Sequence, residues 1–259
     1  AGVIAGAFFA EVAGFKDVIT FDMGGTTAKM GLVIGGQPRL EPEFEAGGLS
    51  GTGAGLSTAS GYPILAPTID LVEVGAGGGS IAWVDAGGLL RVGPRSAGAT
   101  PGPVCYGLGG EKPTVTDANL ILGRLNPNFF LGGEIELDLE ASMTAMEENC
   151  ANRLGISVTD AAMGVLDIAN ATMAEMIRLV TVQRGLDPRE FSLVTTGGAG
   201  PAHANLLADE LGIPTVVIPP SPGTASALGM LVSDMRHEFR VTQIQPLDSA
   251  CIEEINKAL

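Results

Sequence analysis

Short apolar runs and helical repeats follow one another along the chain, and their order predicts an α/β protein. Residues 3–15 are small and apolar, which predicts a packed helix. Residues 17–22 are β-forming residues that end on an aspartate, which predicts a buried strand. Residues 28–34 and 38–44 are predicted to return as antiparallel strands, and residues 45–61, rich in Gly, Ser and Thr, to form a long mobile loop.

The middle of the chain is less regular. Residues 69–74 and 80–84 alternate in polarity, which predicts two strands on either side of the glycine run at positions 75–79. Residues 93–113 contain four prolines and are predicted to be irregular. Thr116 has the position of an N-cap residue for a short helix that runs to Arg124.

The second half of the chain alternates between helical and strand patterns. Residues 138–153 have helical spacing, and Thr159 is predicted to cap a long helix that runs to about Gln183. This alternation is typical of α/β proteins with a parallel or mixed sheet. The elements predicted after the long helix are a strand at 191–196, a helix at 202–211, a strand at 214–218 and a helix at 223–235.

Composition limits the classes of partner. Hydrophobic residues make up 46% of the chain and aromatic residues 5%, which is enough for a sizeable aliphatic core. The formal net charge of −15 repels phosphate-rich polymers, so neither nucleic acid nor an anionic membrane is an expected partner. No apolar run approaches the roughly 18 residues of a membrane span. A small anion such as a nucleotide stays compatible, because backbone N–H groups and a metal ion can hold it locally.

The cysteines and the chain ends add two expectations. Cys105, Cys150 and Cys251 are odd in number and far apart, which disfavours a disulfide framework or a zinc site and fits a reducing, cytoplasmic location. The first residues lack the basic region of a secretory signal. There is no initiator Met and both ends fall within helical patterns, so the chain is expected to be a piece of a longer polypeptide.

The first candidate site is the turn that follows the strand predicted at 17–22. Glycines allow a phosphate to approach the backbone, neighbouring hydroxyl and N–H groups donate to it, and a carboxylate can hold Mg²⁺ or its bound water. An ordinary hairpin turn with an acid at its mouth is the alternative interpretation, because glycine pairs are common in turns. The residues concerned are Asp22, Gly24, Gly25, Thr26 and Thr27.

The second candidate site follows the strand predicted at 191–196. Its glycines let a flat ring or a phosphate lie against the backbone, and the N-terminus of the next helix favours an anion. A tight βα turn without a ligand is the alternative. The chain has neither the spacing of a dinucleotide-binding GxGxxG site nor a GxxxxGK[ST] phosphate loop. The residues concerned are Gly197, Gly198, Ala199 and Gly200.

These two turns carry a resemblance to a known family. The first resembles a phosphate loop of the actin, Hsp70 and sugar-kinase superfamily, and the second resembles its adenosine loop. Long stretches of the chain are similar to hydantoinase A, 5-oxoprolinase and the nucleotide-binding subunit of acetone carboxylase. Those stretches are Val18–Val33, Asp70–Ala82, Gly93–Asn126, Val182–Ala204 and Pro219–Asp234.

The resemblance implies a ribonuclease-H-like, actin-type ATPase fold with a mixed sheet flanked by helices. Family members have an earlier phosphate loop that this chain lacks, so residues 1–245 are expected to form the second lobe and to hold half of an ATP site. Residues 246–259 would begin a truncated C-terminal region. The implied partners are a hydantoinase B-type subunit or domain and further copies in an oligomer.

The implied reaction is ATP-dependent hydrolysis of a cyclic amide of the hydantoin or 5-oxoproline type. Transfer of the γ-phosphoryl group to the amide oxygen would activate a poor electrophile, with Mg²⁺ and the glycine turns neutralising charge. An ATP-dependent ketone carboxylase subunit and a non-catalytic actin-like nucleotide-binding module are the two alternatives.

Three acids, Asp22, Asp70 and Asp117, are the candidate catalytic residues. Asp22 would also hold the phosphates and the metal, and Asp70 could bind a metal or the substrate. Asp70 has the alternative of a solvated acid at a strand edge, and Asp117 that of a first-turn acid that complements the helix dipole. The sequence departs from many relatives at Val72, where they have His, and at Lys29, where they have Asp. These departures favour a subfamily with a different substrate or partner.

Four further residues have structural interpretations. Surface ion pairing is preferred over phosphate binding for Arg178 and Arg184, and packing or capping is preferred over catalysis for His203. Cys105 has no evident base partner, which disfavours a thiol nucleophile.

Overall fold

The computed structural model describes residues 1–41, 44–46, 62–64 and 67–235. Most of the loop predicted at 45–61 therefore lies outside the described residues. In chain order the strands are β1 (Val18–Met23), β2 (Ala28–Ile34), β3 (Gln37–Pro38), β4 (Leu40–Glu41), β5 (Phe44–Ala46), β6 (Tyr62–Ile64), β7 (Thr68–Ile69), β8 (Leu71–Val74), β9 (Ser80–Val84), β10 (Leu90–Ser96), β11 (Ser192–Thr196) and β12 (Val216–Val217). The α-helices are α1 (Gly2–Ala13), α2 (Val115–Ile121), α3 (Leu139–Met146), α4 (Asn152–Leu154), α5 (Val158–Val180), α6 (Gly200–Leu211) and α7 (Ala225–Leu231), with a π turn at Glu147–Ala151 between α3 and α4.

A six-stranded mixed sheet forms the centre of the structure. Its strands lie in the order β12-β11-β1-β2-β3, and β8 pairs with the same edge of β2 as β3 does. The pairs β1–β11 and β11–β12 are parallel, whereas β2 runs antiparallel to β1. Because the carboxyl ends of β1 and β11 meet at one edge, the loops that follow them are brought together.

Helices cover both faces of this sheet, and the alternation of side chains along β1 explains how. Val18 packs with Val3 and Ala10 of α1 on one face, together with Val33 and Val194. Ile19 and Phe21 point to the other face, where the main core is formed with α5 and α6. The long helix α5 buries one stripe at helical spacing there: Val165, Ala169, Met173, Ile177 and Val180.

The predicted class, α/β with a mixed sheet flanked by helices, is confirmed, and several boundaries differ. Residues 93–96 belong to β10 rather than to an irregular segment. Pro94 is tolerated there because the β9–β10 pairing is interrupted between Val92 and Ser96. The domain boundary predicted at 245/246 lies outside the described residues and stays a prediction.

Both predicted N-cap threonines are wrong by two residues. Thr114, not Thr116, caps α2, because its side chain accepts from the Asp117 N–H while the Asp117 carboxylate accepts from the Thr114 N–H. Ser157, not Thr159, caps α5 and accepts from the Asp160 N–H at 3.0 Å. In each case an acid three residues later completes the first turn.

None of the helices among the described residues is long and apolar enough to cross a membrane.

Candidate functional site

Asp22 lies near the carboxyl end of β1, on the face of the sheet covered by α1. It pairs with Lys29 of β2, so the two side chains share this face. The Ser226 hydroxyl at the start of α7 donates to Asp22 Oδ2 at 2.8 Å. A cavity of about 310 Å³ opens here, with Thr20, Asp22, Lys29 and Ser226 among its polar lining residues. The sequence predicted Asp22 at this position and missed Ser226, because a serine more than two hundred residues away has no pattern that marks it.

The turn after Asp22 presents unpaired N–H groups. The Gly24 N–H donates to the Thr27 carbonyl oxygen at 3.0 Å, which closes the turn. Within the described part of the chain, the N–H groups of Gly25 and Thr26 donate to no protein acceptor. A Cβ added at Gly24 or Gly25 would meet nothing within 4 Å, so open space faces this backbone. An anion can approach such a turn closely and accept from its N–H groups.

A third glycine segment supports this turn from behind. The Gly78 N–H donates to the Gly24 carbonyl oxygen at 3.0 Å, and the Gly79 N–H donates to that of Gly25 at 2.6 Å. A Cβ at Gly77 would lie 2.6 Å from the backbone nitrogen of Thr26, so only glycine fits there. The carbonyl groups of Gly24 and Gly25 are thereby satisfied by protein donors, while the N–H groups of Gly25 and Thr26 stay available. No functional role was predicted for the run at 75–79, although its density of glycines is a signal in the sequence.

The second predicted turn contacts the first directly. The Ala199 N–H donates to the Met23 carbonyl oxygen at 3.0 Å, and the Gly197 N–H donates to the Pro222 carbonyl oxygen at 2.8 Å. Gly197 has φ +81°, and a Cβ there would lie 2.6 Å from Asp22 Oδ1. Nothing lies within 4 Å of a Cβ at Gly198, and α6 begins at Gly200. The structure thus brings together Asp22 and both glycine turns that the sequence identified.

Asp70 is placed on the opposite face of the sheet from Asp22. Leu71 lines the Asp22 cavity, so the preceding residue in the extended chain points away from it. The Asp70 carboxylate is buried, accepts from Arg184 Nη2 at 2.8 Å, and lies 3.4 Å from Arg39 Nε. The solvated strand-edge interpretation of Asp70 is therefore wrong, because the acid is buried in an ion-pair cluster. Burial beside Arg39 lowers the pKa of Arg184.

Asp117 is also separated from the Asp22 cavity. Its carboxylate is fully buried and accepts from the N–H groups of Val104, Cys105 and Thr114. It also accepts from the hydroxyl groups of Thr114 and Ser142. These donors tie the start of α2 to the turn at 104–106 and to α3. The neighbouring Thr116 does face the glycine segment, since its hydroxyl donates to the Gly78 carbonyl oxygen at 2.9 Å.

The remaining chemically active side chains are structural. Cys105 is fully buried, and burial followed by the Asp117 charge raises the pKa of its thiol, which keeps it protonated. His203 is fully buried between Asn170 Oδ1, at 2.7 Å from Nδ1, and Asn119 Nδ2, at 3.2 Å from Nε2. Burial lowers the pKa of His203 to about 4, so the ring is neutral at pH 7. Arg178 forms the predicted surface ion pairs, with Glu175 and Glu210.

Comparison with known proteins identifies the family. The family model described as hydantoinase/oxoprolinase matches residues 1–239. The chain belongs to this family. It is 49% identical over 255 residues to an uncharacterized protein of Methanocaldococcus jannaschii, covering 98% of this chain and 37% of that protein. It is 43% identical over 257 residues to the caprolactamase subunit alpha of Pseudomonas jessenii, covering 98% of this chain and 35% of the subunit.

Two solved structures of this family have the same architecture. The ATP-dependent caprolactamase of Pseudomonas jessenii superposes with a TM-score of 0.75 at 43% identity, covering 90% of this chain and 32% of that one. A nucleotide-free acetone carboxylase superposes with a TM-score of 0.77 at 30% identity, covering 90% and 31%. The chain therefore spans about a third of the length of each of these relatives.

Proposed function

We propose that this chain forms one side of the nucleotide site of an ATP-dependent hydrolase of cyclic amides. The observation that carries the proposal is the direct contact between the two segments that carry the turns at 24–27 and 197–200, with Gly197 beside the Asp22 carboxylate and open space over Gly24, Gly25 and Gly198. Unpaired N–H groups beside a carboxylate suit a metal-bound phosphate. The N–H groups donate hydrogen bonds to the phosphate oxygens, and the carboxylate coordinates the metal ion. The family membership of the chain favours ATP as that phosphate compound.

Each turn has a separate part in this proposal. Gly24, Gly25, Thr26 and Thr27 contact the phosphates, with the N–H groups of Gly25 and Thr26 and the threonine hydroxyl groups as donors. The turn Gly197, Gly198, Ala199 and Gly200 lies against the adenosine, where the open backbone at Gly198 admits a flat ring. The two-lobed, actin-type arrangement would supply the other side of the cleft from a part of the polypeptide outside this chain.

The residues present are compatible with Mg²⁺. Among the described residues no group of three or more His, Cys, Asp or Glu could hold a metal alone, and Asp22 is the only acid that lines its cavity. Mg²⁺ in nucleotide sites takes one or two carboxylates and completes its shell with phosphate oxygens and water. Asp22 fits this role, and the ion would neutralise charge on the transferred phosphoryl group.

The reaction follows from the weakness of an amide as an electrophile. The amide oxygen attacks the γ-phosphorus of ATP and ADP leaves, which gives a phosphorylated imidate. Water then adds to its carbon, and the ring C–N bond breaks as the nitrogen leaves with a proton, which gives an acyl phosphate. A second water hydrolyses the acyl phosphate to the ring-opened carboxylate and phosphate, which leaves with the former amide oxygen. The protein positions the phosphate and neutralises charge in the first step, which is what phosphoryl transfer mainly requires.

A ketone carboxylase subunit is the second candidate, because acetone carboxylase shares the architecture. The lactam reaction is preferred since the identity to caprolactamase, 43%, exceeds the 30% to that carboxylase. Several named relatives are subunits, so we propose that this protein also acts with a hydantoinase B-type partner in an oligomeric cytoplasmic enzyme. Asp70 and Asp117 are proposed to position the site rather than to touch substrate.

Phosphate release by the full-length protein with its partner subunit tests this proposal. The reaction contains Mg-ATP and, in separate samples, ε-caprolactam, hydantoin, 5-oxoproline, or acetone with bicarbonate. Stimulation by one ring compound, together with the ring-opened product, supports the hydrolase. Stimulation by the ketone with bicarbonate supports the carboxylase instead. ATP binding with no stimulation by any compound contradicts both and leaves the non-catalytic nucleotide-binding module.

A further inference from the structure

A second cavity lies between the β9–β10 hairpin and the helical segment that contains the π turn. Its volume is about 500 Å³, and it shares no lining residue with the Asp22 cavity. This volume is in the range of small-molecule sites, which are concave, mainly apolar, and carry a few polar groups that fix the ligand. Nothing in the proposed nucleotide chemistry uses this cavity.

A bulge in β10 shapes one wall. Pairing is regular as far as Val92, which lies opposite Ala82, and resumes at Ser96, so three residues of β10 pass the single residue Ile81. The Trp83 Nε1–H donates to the Gly93 carbonyl oxygen at 2.9 Å and so fixes the bulge. Bulges turn side chains away from the regular pleat and are common beside functional sites. Here the wall presents Ile81, Pro94 and the indole of Trp83, which is 42% exposed.

Among the described residues, three cations and no carboxylate line the same cavity. Arg95 lies in the bulge, Lys112 precedes α2, and Arg153 follows the π turn. In the part of the chain that the structure describes, none of the three forms an ion pair. The whole chain has 14 Lys and Arg against 29 Asp and Glu, so a cluster of three cations with no acid is not what the average composition would produce.

The neighbouring acids face a different cavity. Glu111 and Glu148 adjoin two of the lining residues in sequence, yet both line a separate cavity of about 410 Å³ with Asp138 and Glu140. Asn149, from the π turn, remains on the cationic side and its amide donates to the Ala145 carbonyl oxygen. The wide turn thus separates a negative surface from a positive one, and π turns often occur at functional sites.

We propose that the cationic cavity binds a small organic carboxylate with an apolar ring. The ring would lie against Trp83, Ile81 and Pro94, and the carboxylate would accept from the guanidinium groups of Arg95 and Arg153, which are suited to bidentate contact. Lys112 would add a point charge. This site is independent of the nucleotide site, and loss of ATP turnover would leave its binding unchanged.

Trp83 is the only tryptophan of the chain and reports on the cavity directly. In the full-length protein, the fluorescence of Trp83 is obtained as the difference between the native protein and its Trp83→Phe variant. Cyclohexanecarboxylate is titrated against cyclohexanemethanol, which has the same ring without the charge and, like the acid, does not absorb near 280 nm. We expect a saturable change with the carboxylate and binding at least roughly tenfold weaker for the alcohol.

Charge variants complete the experiment. Lys112→Gln with Arg153→Gln is expected to weaken carboxylate binding about tenfold or more, because two charge-assisted contacts are removed. Lys16→Gln makes the same change at an exposed position outside the cavity and is expected to leave binding unchanged. Equal binding of acid and alcohol, or unchanged binding in the double variant, would overturn the proposal. An absence of saturable binding would also overturn it and would leave the cavity as a contact surface for another part of the polypeptide or a partner subunit.

Discussion

Position 197 has no space for a side chain, whereas position 198 has. A Cβ at Gly197, where φ is +81°, would lie 2.2 Å from the Met23 carbonyl oxygen. We predict that Gly197→Ala lowers the free energy of unfolding by roughly 2–4 kcal/mol, since both strain and backbone displacement follow. Gly198→Ala is the matched control and should change it by less than about 1 kcal/mol. Urea denaturation of both variants provides the measurement, and equal losses would contradict the geometry.

A substitution at Gly198 distinguishes an effect on ATP binding from an effect on stability. Its open backbone is where we propose that the adenine ring lies, and a methyl group there would occupy part of that space. We predict that Gly198→Ala weakens ATP binding by the full-length protein about fivefold or more while its stability is retained. Isothermal titration with ATP measures this, and unchanged affinity would place the nucleotide elsewhere.

His203 should make stability depend on pH. Its pKa falls from 6.5 to about 4 on burial, so the unfolded chain binds a proton between these values that the folded protein does not. The stabilisation is complete above pH 6.5 and is lost as the pH falls toward 4. From pH 7 to pH 5 we predict a loss on the order of 2 kcal/mol. His203→Gln should lose this part of the pH dependence, and an unchanged profile of unfolding free energy against pH would contradict it.

At the residue scale, the sequence indicated those candidate site residues that belong to a local pattern along the chain. Asp22 and the glycines were recognisable because they follow buried strands. Ser226 and Thr116 were not, since a hydroxyl that hydrogen-bonds across the fold leaves no local pattern. The burial of Asp70 was not predicted for a similar reason, because its hydrogen-bond partner Arg184 is more than one hundred residues away in sequence.

At the scale of elements, Asp117 holds the start of α2 to its neighbours. Removing its carboxylate leaves three N–H groups and two hydroxyl groups without their acceptor. We predict that Asp117→Ala lowers the free energy of unfolding by about 3 kcal/mol or more, since each unsatisfied buried donor has a cost. Asp138→Ala removes an exposed N-cap of α3 and should cost only about 1 kcal/mol. Equal, small losses in guanidinium denaturation would contradict this role and restore Asp117 as a catalytic candidate.

Elements with a long periodic pattern were predicted correctly, whereas boundaries that depend on a single capping residue or proline were not. The helix α5 was expected from its apolar stripe, but two hydroxyl residues, Ser157 and Thr159, competed for its cap. Ser157 is the cap because its hydroxyl donates to Asp160, the acid three residues later. The strand β10 was not predicted as far as Ser96 because it contains Pro94. Proline is disfavoured in a central strand but is accepted at a bulge in a hairpin.

At the scale of the molecule, the alternation of strands and helices was enough for the α/β class. The order of strands in the sheet was not available from it, because pairing between β1 and β11 joins residues far apart in sequence. That pairing is what places the two glycine turns side by side. The third glycine segment, at 75–79, lies between β2 and α2 in the chain, and only the folded structure shows that it supports the turn.

The central claim is that Asp22 is part of a phosphoryl-transfer site, and its amide variant tests this most directly. Asp22→Asn keeps the acceptor for the Ser226 hydroxyl, so folding should be unchanged by circular dichroism. The matched control is Asp167→Asn, at an exposed position on α5. The measurement is phosphate release from Mg-ATP by the full-length enzyme, with its partner subunit and activating substrate. We predict a loss of about 100-fold or more for Asp22→Asn and a rate within about twofold of the native enzyme for Asp167→Asn. Native turnover in Asp22→Asn would contradict the account.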